Sequence, residues 1–339
     1  MRSVIIRRPS VPRGSRLDPT LLLSLGAIVV GFVLLIWGAD RFIAGAAALA
    51  QDLGVPKLLV GLTVVGLGTS APEMFVAGVA ALQDKPGLAI GNAIGSNVTN
   101  IALILGVTAL VAPLVVQNSV LKRELPVLSL VCVGATVLMA DGDLTRVDGG
   151  VLAVGLLGTL VWMARMARSG TSTALDDEMA LDVPEQAPIG RAVLWTVVGL
   201  IALPLSSQIL VWGAVNLANA FGLSDLVIGL TIVALGTSLP ELAASVAGAL
   251  KGEPEIALGN VLGSNMFNLL VVLAMPALIA PGAVEAAVLT RDLPVMLGLT
   301  AVLYLMCVGW RGPGRVTRLE GSLLLLAFVG YTSILLIAG

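Results

Sequence analysis

The sequence predicts an all-α integral membrane protein: ten transmembrane helices as two inverted five-helix repeats, with broken helices at the midplane. Three observations predict it. The 339 residues are 57% hydrophobic and only 12% charged, with a mean hydropathy of +1.01, against roughly 25% charged residues in soluble domains. Apolar runs recur at the ~20-residue length that crosses a bilayer. The chain also repeats itself at an offset of 168 residues.

So much apolar side chain cannot be hidden inside a soluble fold of this length. That excludes a soluble enzyme, a disordered scaffold and a nucleic-acid binder; a net charge of −2 offers no basic stripe for phosphates. The sequence contains no His, so imidazole-ligated metals and His bases are excluded. Cys132 and Cys307 lie inside apolar runs and make no disulfide framework. No cofactor and no obligate protein partner are evident; the lipid bilayer is the expected surrounding.

Residues 1–18 carry Arg2, Arg7, Arg8, Arg13 and Arg16. The apolar segment that follows is longer than a signal core and no A-x-A-like site follows promptly, so they read as a basic tail before a retained span. The first repeat, 19–167, holds spans at about 21–50, 56–82, 87–112, 125–140 and 149–166. The second, 191–339, holds them at about 192–220, 224–250, 254–280, 293–310 and 321–338. Continuous apolar runs argue for helices, since barrel strands would alternate over ~10 residues. Trp162, Trp195 and Trp310 fall near span ends, where an aromatic belt places them. Between the repeats, 168–190 is a polar linker; its acids Asp176, Asp177, Glu178, Asp182 and Glu185 serve either solubility or a regulatory cation.

The repeat itself is unmistakable. GLTVVGLGTSAPE at 61–73 matches GLTIVALGTSLPE at 229–241, and GNAIGSNVTN at 91–100 matches GNVLGSNMFN at 259–268. Over 61–107 against 229–275, 21 of 47 positions are identical without a gap. Arg123-Glu124-Leu125-Pro126 matches Arg291-Asp292-Leu293-Pro294; the offset then becomes 172, pairing 146–149 with 318–321. An odd number of spans per repeat makes the second enter the membrane from the opposite side. Inverted repeats of this kind are a recurring transporter design with the site between the halves.

Glu73 and Glu241 sit inside apolar spans with no Lys or Arg within nine residues. An unpaired carboxylate at that depth costs about 2.5–3.5 kcal/mol on insertion scales, and a cation shared by the two would offset the cost. Pro72 and Pro240 interrupt the helix just before each glutamate, Gly66 and Gly68 weaken the turn before Pro72, and freed carbonyls can then act as ligands. Thr69 and Ser70, like Thr237 and Ser238, stand four and three residues before the glutamates, on the same helical face. Asn92, Ser96 and Asn100 form one helical stripe, repeated by Asn260, Ser264 and Asn268. The glycines, Asn92, Asn260, Asn97 and Asn265 are equally explained by close helix packing with polar cross-bonds; Ser96, Asn100, Ser264 and Asn268 can face the glutamates. An all-oxygen set with two carboxylates suits Ca²⁺, Na⁺ or Mn²⁺ and disfavours Zn²⁺ or Cu²⁺.

These paired motifs resemble the two alpha-repeats of the calcium/cation antiporter superfamily, nearest its bacterial sodium/calcium exchanger branch, from about residue 20 to the end. The resemblance implies alternating access, with the first and sixth spans sliding against the ion-holding bundle, and residence in the bacterial inner membrane as a multi-pass protein. It implies Glu73 and Glu241 as central ligands shared by Ca²⁺ and Na⁺, with oxygens from Thr69, Ser70, Thr237 and Ser238. It further implies flanking Na⁺ sites completed by Ser96 and Ser264 with the carbonyls of Gly66 and Ala234, and Asn100 and Asn268 bordering the centre. Some members carry Asp at the position of Asn268, tied in potassium-dependent ones to K⁺; with Asn there, K⁺ co-transport is not expected. The expected function is Na⁺/Ca²⁺ antiport expelling Ca²⁺ on the Na⁺ gradient; the alternative is a proton-coupled Ca²⁺ (or other divalent cation) antiporter on the same glutamates. Outside the tail, Lys and Arg divide 11 to 3 in favour of an external N-terminus, the direction of the positive-inside rule; the tail opposes it.

Overall fold

The computed structural model describes residues 19–52, 70–116, 122, 124–168, 189–223, 225–250, 254–308 and 314–338. The basic tail, Gly66 and Thr69 of the first motif, and nearly all of the polar linker lie outside the described residues. Helices dominate. In the first repeat they are α1 (Pro19–Asp52), α2 (Ala71–Leu82), α3 (Pro86–Val98), α4 (Leu105–Val111), α5 (Glu124–Leu138) and α6 (Arg146–Arg168). In the second they are α7 (Ile189–Phe221), α8 (Asp225–Ile228), α9 (Ala234–Thr237), α10 (Leu239–Leu250), α11 (Pro254–Phe267), α12 (Ala274–Ile279), α13 (Leu293–Cys307) and α14 (Arg318–Ala338). Among the described residues, five helical segments are long and apolar enough to cross a membrane: Thr20–Gly38, Pro86–Val111, Leu258–Ile279, Val288–Cys307 and Arg318–Ile337.

Two features were not expected from the sequence. Among the described residues, four π-helical turns interrupt the spans, at Thr99–Ile104, Gly229–Val233, Asn268–Val272 and Val288–Asp292. Four two-residue strands also form two antiparallel pairs, β1 (Leu114–Val115) with β4 (Arg315–Val316) and β2 (Asp143–Leu144) with β3 (Gly282–Ala283). Each pair joins one repeat to the other.

The repeats interlock throughout. The most extensive helix contact is α1 against α7. Gly213 lies against the carbonyl of Ser24, Gly31 against Leu210, and the rings of Trp37 and Trp195 meet edge-on at 6.1 Å. Residue numbers rise on one helix as they fall on the other, so the pair is antiparallel. Gly321 of α14 abuts the Gly106 carbonyl of α4, while Gly149 of α6 abuts Ala277 and Leu278 of α12. The last helix of each repeat thus packs on the third span of the other, with glycine permitting backbone approach where lipid supplies no hydrophobic drive. Both last helices start with a capping box: Thr145 with Asp148, and Thr317 with Glu320, exchange reciprocal bonds of 2.6–3.3 Å, satisfying N–H groups the first turn cannot.

Candidate cation site

The site is built on two helix starts with the same local geometry. Ser70 precedes α2 with φ −87° and ψ 2°; Ser238 separates α9 from α10 with φ −86° and ψ 6°. Proline follows each serine in the first turn, where its missing N–H is one the helix would leave unsatisfied anyway. Glu73 and Glu241 then fall in the first turns of α2 and α10. There the unpaired N–H groups and the helix dipole favour negative charge. This placement at helix N-termini complements the broken-helix expectation.

Both glutamates are fully buried. Their backbone carbonyls are held by equivalent amides: Asn92 Nδ2 donates to Glu73 O at 3.0 Å and Asn260 Nδ2 to Glu241 O at 3.4 Å. Asn92 Oδ1 in turn accepts from Thr237 Oγ1 at 3.2 Å, across the repeat boundary. Asn260 Nδ2 also lies 3.5 Å from Ser245 Oγ, a buried group the sequence reading did not single out. Ala77, 168 residues earlier, has no hydroxyl, so no repeated pattern pointed to Ser245.

The carboxylates differ in their partners. Glu73 Oε1 accepts from Ser238 Oγ of the other repeat, and Glu241 Oε1 from Ser264 Oγ of its own, both at 3.4 Å. The counterparts of these serines, Ser70 and Ser96, are buried with no hydrogen-bond partner for Oγ among the described residues. One repeat's hydroxyls are engaged while the other's are not.

Two asparagine pairs close the middle. Asn100 Nδ2 donates to Asn265 Oδ1 at 3.0 Å, and Asn268 Nδ2 to Asn97 Oδ1 at 3.2 Å. The two bonds are equivalent under the repeat. Asn100 and Asn268 stand in the π turns at Thr99–Ile104 and Asn268–Val272, a backbone form frequent at functional positions. Asn97 and Asn265, explained by packing as readily as by ligation, are therefore the partners of the candidate ligands. Ala234 is buried, and its carbonyl accepts the Ser238 N–H at 3.2 Å.

Six buried oxygens have no hydrogen-bond partner among the described residues here: Glu73 Oε2, Glu241 Oε2, Ser70 Oγ, Ser96 Oγ, Asn100 Oδ1 and Asn268 Oδ1. Buried polar atoms are normally satisfied, and each exception calls for an explanation. All six belong to the residues singled out in the sequence. Sulfur and imidazole are missing from the set, which is the donor chemistry of hard cations. Two carboxyl groups held where water is excluded must be neutralised, by bound cations or by protons.

Comparison with known proteins points the same way. The family described as sodium/calcium exchanger protein matches residues 23–165 and 191–337. The protein CaxA of Alkalimonas amylolytica is 47% identical over 312 residues, covering 91% of this chain and 97% of its own length. Inner membrane protein YrbG of Escherichia coli (strain K12) is 42% identical over 318 residues, covering 93% and 97%. The structure of the sodium-calcium exchanger NCX_Mj soaked with 10 mM Na⁺ and zero Ca²⁺ superposes with a TM-score of 0.65 at 30% identity, covering 92% of this chain and 99% of that one.

Proposed function

Because the chain belongs to the sodium/calcium exchanger protein family, we propose that this antiporter couples Na⁺ entry to Ca²⁺ export through the site at Glu73 and Glu241, from a bacterial inner membrane. The observation that carries the reading is the set of six buried oxygens, two of them from the carboxylates, that have no hydrogen-bond partner among the described residues. Ca²⁺ takes 6–8 oxygen ligands, and one Ca²⁺ neutralises the pair. Two Na⁺ neutralise it equally, so either species satisfies the same charges and occupancy is mutually exclusive. That exclusion is the physical requirement for exchange. Thr69, Ser70, Thr237, Ser238, Ser96, Ser264, Asn100 and Asn268, with the carbonyls of Gly66 and Ala234, are the further ligands in this reading.

The architecture belonging to this function is ten spans in two inverted five-helix repeats. The antiparallel pairing of α1 and α7, the first helices of the two repeats, supports it. So do the reciprocal strand and helix pairings between repeats. Two carboxylates could equally carry two protons, which is the basis of a proton-coupled reading. The test is ⁴⁵Ca²⁺ uptake into proteoliposomes loaded with Na⁺. Uptake that requires outward Na⁺ and survives a protonophore is the expected result. Uptake driven only by a pH gradient would replace Na⁺ by H⁺, and uptake with no counter-ion would end the antiport reading.

A further inference from the structure

Helices α5 and α6 form an antiparallel hairpin, yet a cleft of about 380 Å³ separates them over most of their length. It falls in the range of about 300–1,000 Å³ typical of ligand pockets. Leu130, Gly134 and Leu138 line one wall, and Gly155, Gly158 and Trp162 the other. The floor is Leu270, inside the π turn that begins at Asn268. A Cβ added at Gly134 or Gly158 would meet nothing within 4 Å, so among the described residues these glycines admit no neighbouring helix. At Gly155 a Cβ would lie 3.1 Å from Leu270 Cδ2, so that glycine lets the wall close onto the floor.

The rims are strongly apolar and outward-facing: Leu130 is 72% exposed, and Val137, Val154 and Leu157 are exposed beside it. In the ten-span architecture proposed above this hairpin crosses the membrane, and such a surface faces hydrocarbon. One end of the cleft is different. Val127, near the start of α5, and Trp162, near the end of α6, lie there. Five residues before Val127 and three after Trp162 in the sequence are two exposed cations, Lys122 and Arg165. Trp is favoured at the headgroup level, and basic residues at that level attract anionic lipid. Apolar length, depth and a basic end together match one ligand.

We propose that the α5–α6 cleft binds one acyl chain of an anionic phospholipid, with its phosphate held at Lys122 and Arg165 and its tail resting on Leu270. The bound tail touches the turn that carries Asn268, so the lipid bears on the geometry of the cation site from the membrane side.

The test uses the full-length protein in detergent with phosphatidylglycerol as probe. Native mass spectrometry counts retained lipids, and thermal denaturation checks folding. Wild type should retain one phosphatidylglycerol more than a Gly134→Leu/Gly158→Leu variant, whose added side chains fill the cleft. Gly330→Leu, on exposed α14 where a Cβ also meets nothing, should retain as much as wild type. Lys122→Gln/Arg165→Gln leaves the cleft open and should lower the preference for phosphatidylglycerol over phosphatidylcholine about thirtyfold, given roughly a kcal/mol per basic residue at an anionic surface. Equal retention by wild type and the leucine variant overturns the proposal. So does a leucine variant that changes from dimer to monomer, which would assign the cleft to a second copy of the chain. If the leucine variant fails to fold, an unchanged lipid preference in the glutamine variant overturns it alone.

Discussion

Replacing Glu241 by Gln tests the cation site most directly. The substitution keeps the shape, and it keeps an oxygen able to accept from Ser264 Oγ, now at 3.4 Å from Oε1. It removes one of two negative charges from a position with no solvent exposure. A Ca²⁺ about 2.4 Å from a carboxylate oxygen interacts with one unit charge by about 3.5 kcal/mol even at the dielectric constant of bulk water, about 80. A dry site makes the loss larger, so this is a floor. It corresponds to a Ca²⁺ affinity reduced at least about 300-fold. The assay is ⁴⁵Ca²⁺ binding by the purified protein, paired with exchange in proteoliposomes. The ion-free protein should melt no lower than wild type, because Gln has no charge to bury or to neutralise. An affinity within about threefold of wild type, in a variant that still folds, would refute the shared-charge reasoning.

Asn92→Ala removes the donor to the Glu73 carbonyl and one acceptor for Thr237 Oγ1, whose hydroxyl keeps the Val233 carbonyl at 3.0 Å; losing two buried bonds should cost about 1–3 kcal/mol, and an unchanged denaturation midpoint would contradict it. Gly229→Ala would place a Cβ 2.5 Å from the Leu88 carbonyl oxygen. Overpacking of that kind should cost about 1–3 kcal/mol and lower the melting temperature, whereas Gly26→Ala, with nothing within 4 Å, should not. For the inter-repeat bond between Asn100 and Asn265, a double-mutant cycle with Ala at both positions should give a coupling of about 0.5–3 kcal/mol in unfolding; additive effects would show that the pair does not act as a unit.

Much of the site was legible before any coordinates. The apolar runs marked the spans because hydrocarbon tolerates only segments that satisfy their own backbone. The helix start after Ser70 and the break at Ser238 were readable because proline removes an N–H wherever it stands. Glu73 and Glu241 stood out because an isolated carboxylate inside an apolar run demands a partner. These inferences rest on local covalent structure or on transfer between solvents, and neither depends on what packs nearby.

Contacts between segments far apart in sequence were not legible. The asparagines at 97 and 265 were explained as well by packing as by a role in the site; only the meeting of α3 and its π turn with the corresponding second-repeat segment makes them partners of Asn268 and Asn100. The π turns depend on surroundings rather than on composition. The strand pairs involve two-residue segments too short to declare themselves. Most telling is the asymmetry. Two nearly identical motifs leave Ser238 and Ser264 bonded to glutamates while Ser70 and Ser96 have no such bond. By itself the sequence determined a duplicated membrane scaffold and which oxygens could meet a cation, because burial cost and backbone chemistry act residue by residue. Only the tertiary structure decided which hydroxyl serves which carboxylate, because a hydrogen bond requires atoms within about 3 Å, and that depends on how two helices rest against each other.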